Sequence, residues 1–145
     1  MGSGTILITG GAGYVGAHTC KALSRAGYVP LTIDNLSTGH RSFVQWGPLI
    51  EADIRNTDAV SHALRSHKVD AVMHFAASAY VGESVSTPQE CYENNVSGSL
   101  SLLKGMLQSE CRKIVFSSSW NPTNSQSENR HRRIPSPHTT PQAYD

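Results

Sequence analysis

Cysteine is scarce in this 145-residue chain: three occur, Cys20, Cys91 and Cys111, far apart and without a C-x-x-C pair. An odd, scattered set argues against a disulfide framework and a zinc ribbon, and points to reduced thiols. An excess of one charge is lacking too. Twelve Lys and Arg against 11 Asp and Glu give a formal net charge of +1, which leaves no electrostatic footprint for nucleic acid or an anionic membrane. Apolar runs are short, and none nears the roughly 20 residues that span a bilayer. The opening Met1-Gly2-Ser3-Gly4-Thr5 shows no basic segment, no apolar leader and no cleavage site, and Ile6 stands where myristoylation would want Ser or Thr. His62 and His67 are five apart and do not share a metal-binding face, so no metal site is expected. These absences together predict a cytoplasmic protein without a membrane or nucleic-acid partner.

The length fits one domain. Short apolar runs at 6–8, 29–33, 49–52, 69–75 and 113–116 read as strands. Helical patterns lie between them at 15–26 and 58–67, with a third at 89–107 that carries Leu100, Leu103 and Leu107 on one face and Gly98 and Gly105 as weak points. Alternation of this kind predicts an α/β fold with a doubly wound parallel sheet, Rossmann-like, joined by right-handed crossovers. Residues 4–119 are expected to form this domain, incomplete as it stands. From 120 to 145 the composition shifts to Pro, Ser, Asn, His and Arg without a periodic apolar face, and that stretch is expected to be a disordered tail.

The first strand runs into Thr9-Gly10-Gly11-Ala12-Gly13-Tyr14-Val15-Gly16, inside which a helix begins. Gly10 suits a tight turn, Gly13 lets backbone approach a pyrophosphate, and Gly16 lets helix and strand pack closely. Helix-terminal amides would then meet the phosphates. A glycine pattern alone is weak, but here it follows a strand, opens a helix, and is joined by an acid, Asp34, at the end of the next strand. That carboxylate can accept from an adenosine ribose diol and would repel a 2′-phosphate, which favours NAD over NADP. Arg41, seven residues on, keeps NADP open, and Asp34 read by itself could instead cap the turn Asp34-Asn35-Leu36-Ser37-Thr38-Gly39.

Thr9–Gly16 and Asp34–Gly39 are followed by Asp53-Ile54-Arg55, His74-Phe75-Ala76-Ala77, Val81-Gly82-Glu83-Ser84, Tyr92-Glu93-Asn94-Asn95-Val96 and Phe116-Ser117-Ser118-Ser119. With these blocks in this order, residues 4–119 resemble the UDP-glucose 4-epimerase family, within the NAD-dependent epimerase/dehydratase branch of the extended short-chain dehydrogenases/reductases. The resemblance implies interconversion of UDP-glucose and UDP-galactose through a transient 4-keto sugar, a step of galactose metabolism, with NAD as cofactor, a UDP-sugar substrate and a homodimeric full-length enzyme. It further implies that Gly10, Gly13, Tyr14, Val15 and Gly16 hold the pyrophosphate, that Asp34 and Asn35 hold the adenosine ribose, and that Leu36, Ser37, Thr38 and Gly39 flank it. Asp53 and Ile54 would edge the adenine, Phe75, Ala76 and Ala77 would pass behind the cofactor, and Asn94 would orient it. A lysine that some members place at the nicotinamide ribose falls at Ala79 here.

Taken without the resemblance, Phe75 and Ile54 read as core, His74 as a packed, hydrogen-bonded histidine, and Asn94-Asn95 as helix punctuation. The family's chemistry uses a Tyr with a Lys four residues on, and a Ser at the end of the fifth strand, where Ser119 stands. None of the five tyrosines meets that spacing: four are followed by His18, Thr32, Ser84 and Val96, and Tyr144 has no fourth residue. The chain alone is therefore expected to be inactive, and a non-catalytic NAD-binding fragment or a related sugar-nucleotide dehydratase stay open as alternatives.

Overall fold

A computed structural model of the chain describes residues 3–76, 89 and 92–117. The tail at 120–145 and the candidate residues Ala77 and Ser119 lie outside the described residues.

Strand β1 (Thr5–Thr9) sits at the centre of a parallel sheet, between β2 (Val29–Asp34) and β4 (Val69–His74). β3 (Leu49–Glu51) extends one edge and β5 (Ile114–Phe116) the other, giving the order β3-β2-β1-β4-β5. A strand flanked on both edges and covered on both faces has no solvent side, which is why Ile6-Leu7-Ile8 is an unbroken apolar run. The chain winds outward from β1 to β3, crosses back to β4, and winds outward again. The reversal falls between β1 and β4, and the cleft beyond the strand C-termini at such a switch point is where doubly wound folds bind ligands.

Helix α1 (Tyr14–Arg25) covers one face, where Ile6, Ile8 and Cys20 are buried against Leu23, Ala71, Met73 and Phe75. Helices α2 (Thr57–Ser66) and α3 (Gly98–Gln108) cover the other, packing Val60, Leu64, Leu102 and Met106 on Leu7, Leu31, Ile33 and Val72. Fully burying a Leu, Ile or Val side chain contributes roughly 1.5–3 kcal/mol, so this second core supplies most of the fold's cohesion.

The third helix departs from its sequence pattern in two ways. Within its expected span, Glu93–Ser97 is wound as a π-helical turn immediately before α3 proper begins. Leu100, Leu103 and Leu107 do share a face, but it is the solvent face: they are 61, 43 and 60% exposed. Gly98, Leu102, Gly105 and Met106 face inward instead. A Cβ at Gly98 would come within 2.9 Å of Ile54 Cδ1, and one at Gly105 within 2.8 Å of Val60 Cγ1. The two glycines that weaken the isolated helix are thus what lets its backbone lie close against α2 and the turn before it.

Candidate functional site

The turn after β1 is fixed by several independent contacts. Gly10 has φ +71, and a Cβ on it would meet the Ala76 amide nitrogen at 2.9 Å. At Gly16 the same atom would fall 2.2 Å from the Gly10 carbonyl, and at Gly11 2.5 Å from Thr32 Oγ1. Gly13 differs from all of these. Its φ of −83 and ψ of 173 suit any residue, and within 4 Å its Cβ would meet only the Gly10 carbonyl, at 3.3 Å. The fold tolerates glycine there without requiring it, so the missing side chain leaves space on the open side of the turn. Directly beyond, α1 starts with no side-chain cap and no acid in its first turn. The amides of Tyr14, Val15 and Gly16 have no intrahelical acceptor, and they carry the positive end of the helix dipole.

Asp34, 9% exposed, caps the turn that follows it and is also tied to the glycine turn. Oδ2 accepts from the Ala12 amide at 3.0 Å, tying the glycine turn to the end of β2, and Oδ1 accepts from Leu36 N at 2.8 Å. Leu36 is held at φ +58 by that short turn, and Ser37 N donates to Asn35 Oδ1 at 3.0 Å. His40 N then donates to the Ala12 carbonyl at 2.9 Å, and Gly39 lies so close to Ala12 that a Cβ would come within 2.8 Å of its methyl carbon. The segment from Asn35 through Ser37, Thr38 and Gly39 therefore wraps the glycine turn, while each Asp34 oxygen keeps acceptor capacity. Arg41, the cation that could have met a 2′-phosphate, pairs with Glu51 at the edge of the sheet.

Asp53 is more fully engaged than the sequence suggests. Oδ1 accepts from Arg55 N at 2.8 Å and Nε at 3.0 Å, and Oδ2 from Arg55 Nη2 at 2.7 Å and Asn35 Nδ2 at 3.2 Å. The Arg55 hydrogen bonds bring its pKa down to about 2. A further donor, such as an adenine amine, would have to displace one of these four, and the Asn35 amide makes the longest contact. Ile54 is a core residue, 4% exposed and packed beside α3. Its burial agrees with the reading of Ile54 as core made without the resemblance.

Beneath the turn, Thr9 Oγ1 accepts from Phe75 N at 3.2 Å and Ala76 N at 3.3 Å, and contacts His74 Nδ1 at 2.6 Å. His74 Nε2 reaches Ser99 Oγ at 3.0 Å. Asn94, in the π turn, donates from Nδ2 to the Ala76 carbonyl at 3.3 Å, so the residue expected to orient a cofactor is joined to the backbone expected to pass behind it. Burial lowers the pKa of His74 and raises those of the Cys20 and Cys111 thiols. Thr9, Gly11 and Ala12 belong to the site although sequence reasoning did not single them out. Their signal was position alone, inside or next to the glycine motif. No cluster of three or more potential metal ligands exists among the described residues.

A parallel sheet with a glycine turn, an open helix N-terminus and an acid ending the neighbouring strand defines a dinucleotide-binding α/β domain. The pattern of the NAD dependent epimerase/dehydratase family matches residues 6–144, and the chain belongs to that family. The match runs past Ser119, the last residue of the motif blocks. The chain is 45% identical to a UDP-glucose 4-epimerase of Rhizobium leguminosarum bv. trifolii, over 93% of its own length and 42% of that protein's. It is 48% identical to one of Rhizobium meliloti, over 81% of this chain and 36% of the relative. A crystal structure of the Brucella ovis UDP-glucose 4-epimerase in complex with NAD matches with a TM-score of 0.78 and 46% identity, covering 79% of this chain and 35% of that one. The chain thus spans well under half the length of these relatives. No helix among the described residues is long and apolar enough to cross a membrane.

Proposed function

We propose that residues 4–119 are the NAD-binding portion of a UDP-glucose 4-epimerase, which interconverts UDP-glucose and UDP-galactose through a transient 4-keto sugar in galactose metabolism. The observation that carries this reading is Gly13. It is a glycine that neither its backbone angles nor its protein neighbours demand, in front of three uncapped amides. A pyrophosphate fits the space a Cβ would fill, and its charge suits the helix end.

Each residue then has a task. The amides of Tyr14, Val15 and Gly16 bind the pyrophosphate. Asp34 accepts from the adenosine ribose diol with the capacity left by Ala12 and Leu36, and Asn35 yields its bond to Asp53 when an adenine amine arrives. Phe75 and Ala76 present backbone behind the cofactor, with Asn94 fixing that backbone through the Ala76 carbonyl. Held by these residues, NAD would supply reversible hydride chemistry at sugar C4. Ser119 is assigned to hold the sugar hydroxyl in this reading. Because no tyrosine here has its lysine four residues on, the chain by itself is expected not to turn over. The exposed stripe of Tyr92, Val96, Leu100, Leu103 and Leu107 supports a homodimer of the full-length enzyme through this helix.

Calorimetric titration of the purified chain with NAD and NADP tests the proposal. NAD should bind more tightly than NADP, and Asp34→Asn should weaken NAD by about tenfold, as expected for a lost charge-assisted hydrogen bond. Equal affinities for the two nucleotides would overturn the assignment of Asp34. An assay with UDP-galactose and NAD should show no turnover, and turnover like that of an intact epimerase would overturn the claim of inactivity.

A further inference from the structure

One buried cluster is used by none of these tasks: Thr9 at the end of β1, His74 at the end of β4 and Ser99 on α3, brought together although 25 to 65 residues apart in pairs. Its hydrogen atoms can be assigned by elimination. Ser99 Oγ donates its one hydrogen to the Asn95 carbonyl, at 2.6 Å, because a carbonyl can only accept. Toward His74 it must therefore accept, so Nε2 carries the imidazole proton. A neutral ring has then a bare Nδ1, and Thr9 donates its hydroxyl hydrogen to it across 2.6 Å. With its hydrogen committed, Thr9 Oγ1 is left as acceptor for the amides of Phe75 and Ala76. The Phe75 amide is shared between this oxygen and the Thr9 carbonyl, to which it also donates at 3.0 Å, and along the side chains from Asn95 to Thr9 reversing any member breaks the next.

This network ends where the proposed cofactor site begins. Thr9 precedes Gly10, and the turn at Gly10 lies against the Phe75–Ala76 backbone so closely that a Cβ would come within 2.9 Å of it. The spacing between the glycine turn and the strand that passes behind it is therefore set jointly by the backbone bond from Phe75 N to the Thr9 carbonyl and by the Thr9 hydroxyl, which alone reaches the Ala76 amide as well. We infer that His74, locked as the Nε2–H tautomer by Ser99, is a positioning residue for the nucleotide site, aligning Thr9 and the Phe75–Ala76 amides beneath the glycine turn. The inference rests on the NAD reading for its functional consequence, but not for its structural content. An imidazolium would present a second N–H to an oxygen already accepting two amides, and would strand the Thr9 hydrogen. The groups that face the ring from β1, α3 and β5 are Thr9, Ser99 and Phe116, none of them titratable in this range. Burial lowers the His74 pKa, so its contribution to stability is full above about 6.5, the ordinary histidine value, and falls as pH drops below it, where the unfolded chain takes up the proton first.

The test uses the ¹⁵N-labelled 145-residue chain. Imidazole resonances of His74 should show a protonated Nε2 and an unprotonated Nδ1 from pH 8 to 6.5. A proton on Nδ1 in that range would overturn the inference whether or not NAD binds. Ser99→Ala frees the tautomer while keeping the ring, and His74→Phe keeps the volume without the nitrogens. Both should move the amide resonances of Gly10 to Gly13 and weaken NAD by about tenfold, whereas Val60→Ala, a packing defect on α2, should lower stability with NAD affinity unchanged. NAD affinity equal to the parent in both site variants overturns the positioning role. If the parent chain fails to bind NAD, the NAD reading falls, and the tautomer and amide shifts still decide this one.

Discussion

Helix α2 begins at Asn56, whose side chain accepts from Ala59 N at 3.1 Å, and it carries Asp58 in its first turn. Helix α1 begins at Gly13 with neither a side-chain cap nor an acid. Both helices present the same unsatisfied amides and the same positive dipole end. In α2 the protein answers that demand from within, by a cap and a charge. In α1 it leaves the demand standing, at the C-terminal end of the central strand and beside the Asp34 carboxylate. A helix start that selection for stability would have capped is open where the topology places the ligand cleft, and the contrast with α2 shows that the chain can cap a helix where nothing else is to bind.

The largest expected effect comes from giving α1 what α2 has. Gly13→Asp places a carboxylate at the N-cap in a backbone conformation that accepts it. Stability should change by no more than about 0.5 kcal/mol, since glycine and aspartate differ by a few tenths as caps and the Gly10 carbonyl must give slightly. NAD affinity should fall by more than about 100-fold, because the new charge occupies the amides and repels the pyrophosphate. Calorimetry and thermal melts on the same sample check both halves. Retained affinity would show that α1's open end is not the phosphate site.

The converse change is smaller and falls on stability alone. Asn56→Ala removes the α2 cap and should cost about 1 kcal/mol, which lowers the melting temperature by roughly 4–8 °C in a domain of this size. NAD binding should not move. If it weakened as much as in Gly13→Asp, the two termini would not be functionally distinct.

Much of this contrast was legible in the sequence. The spacing of Gly10, Gly13 and Gly16 and the acid at Asp34 marked the α1 start, and the strand and helix alternation fixed the doubly wound sheet. What could not be read was anything set by packing across the sheet. Thr9 and His74 become partners because β1 and β4 are adjacent in a register that pairs these two residues, a fact of topology invisible to local pattern. The inward face of α3 was hidden because the helix has two apolar stripes, and the one that packs combines Leu102 and Met106 with the two glycines, Gly98 and Gly105. Ile54 was placed at the adenine by the resemblance and in the core by its residue type, and it is buried in the core. Asp53 looked free to accept a ligand, yet Arg55 two residues away saturates most of it.

That last pair sharpens the comparison at moderate acidity. Asp53 belongs to the turn leading into α2, where its carbonyl accepts from Asn56 N at 3.0 Å. Its carboxyl pKa is drawn down to about 2 from 3.8, chiefly by hydrogen bonds from Arg55. A depressed carboxyl pKa contributes stability that is present above 3.8 and lost as pH falls toward 2. A ¹³C titration of the Asp53 carboxyl should give a midpoint near 2, and Arg55→Met should return it toward 3.8. A midpoint already at 3.8 in the parent would mean that the Arg55 contact does not hold in solution.

The smallest expected effect lies at the other ends of the same two helices. After α1 the chain turns through Gly27 at φ +87, while after α2 it turns through Lys68 at φ +49. The left-handed conformation is free for glycine but strains an L-residue by roughly 1 kcal/mol. Lys68→Gly removes that strain and adds unfolded-chain entropy worth about 0.5–1 kcal/mol against the fold. The two nearly cancel, and a net gain of about 0.5 kcal/mol or less should remain, read as a rise in melting temperature of at most about 4 °C. Lys68 immediately precedes β4, at the end of the sheet away from the glycine turn, so NAD affinity should be unchanged. A destabilised variant would show that the lysine's own contacts outweigh its strain, and that α2 relies on side chains at both of its ends where α1 relies on glycine at both.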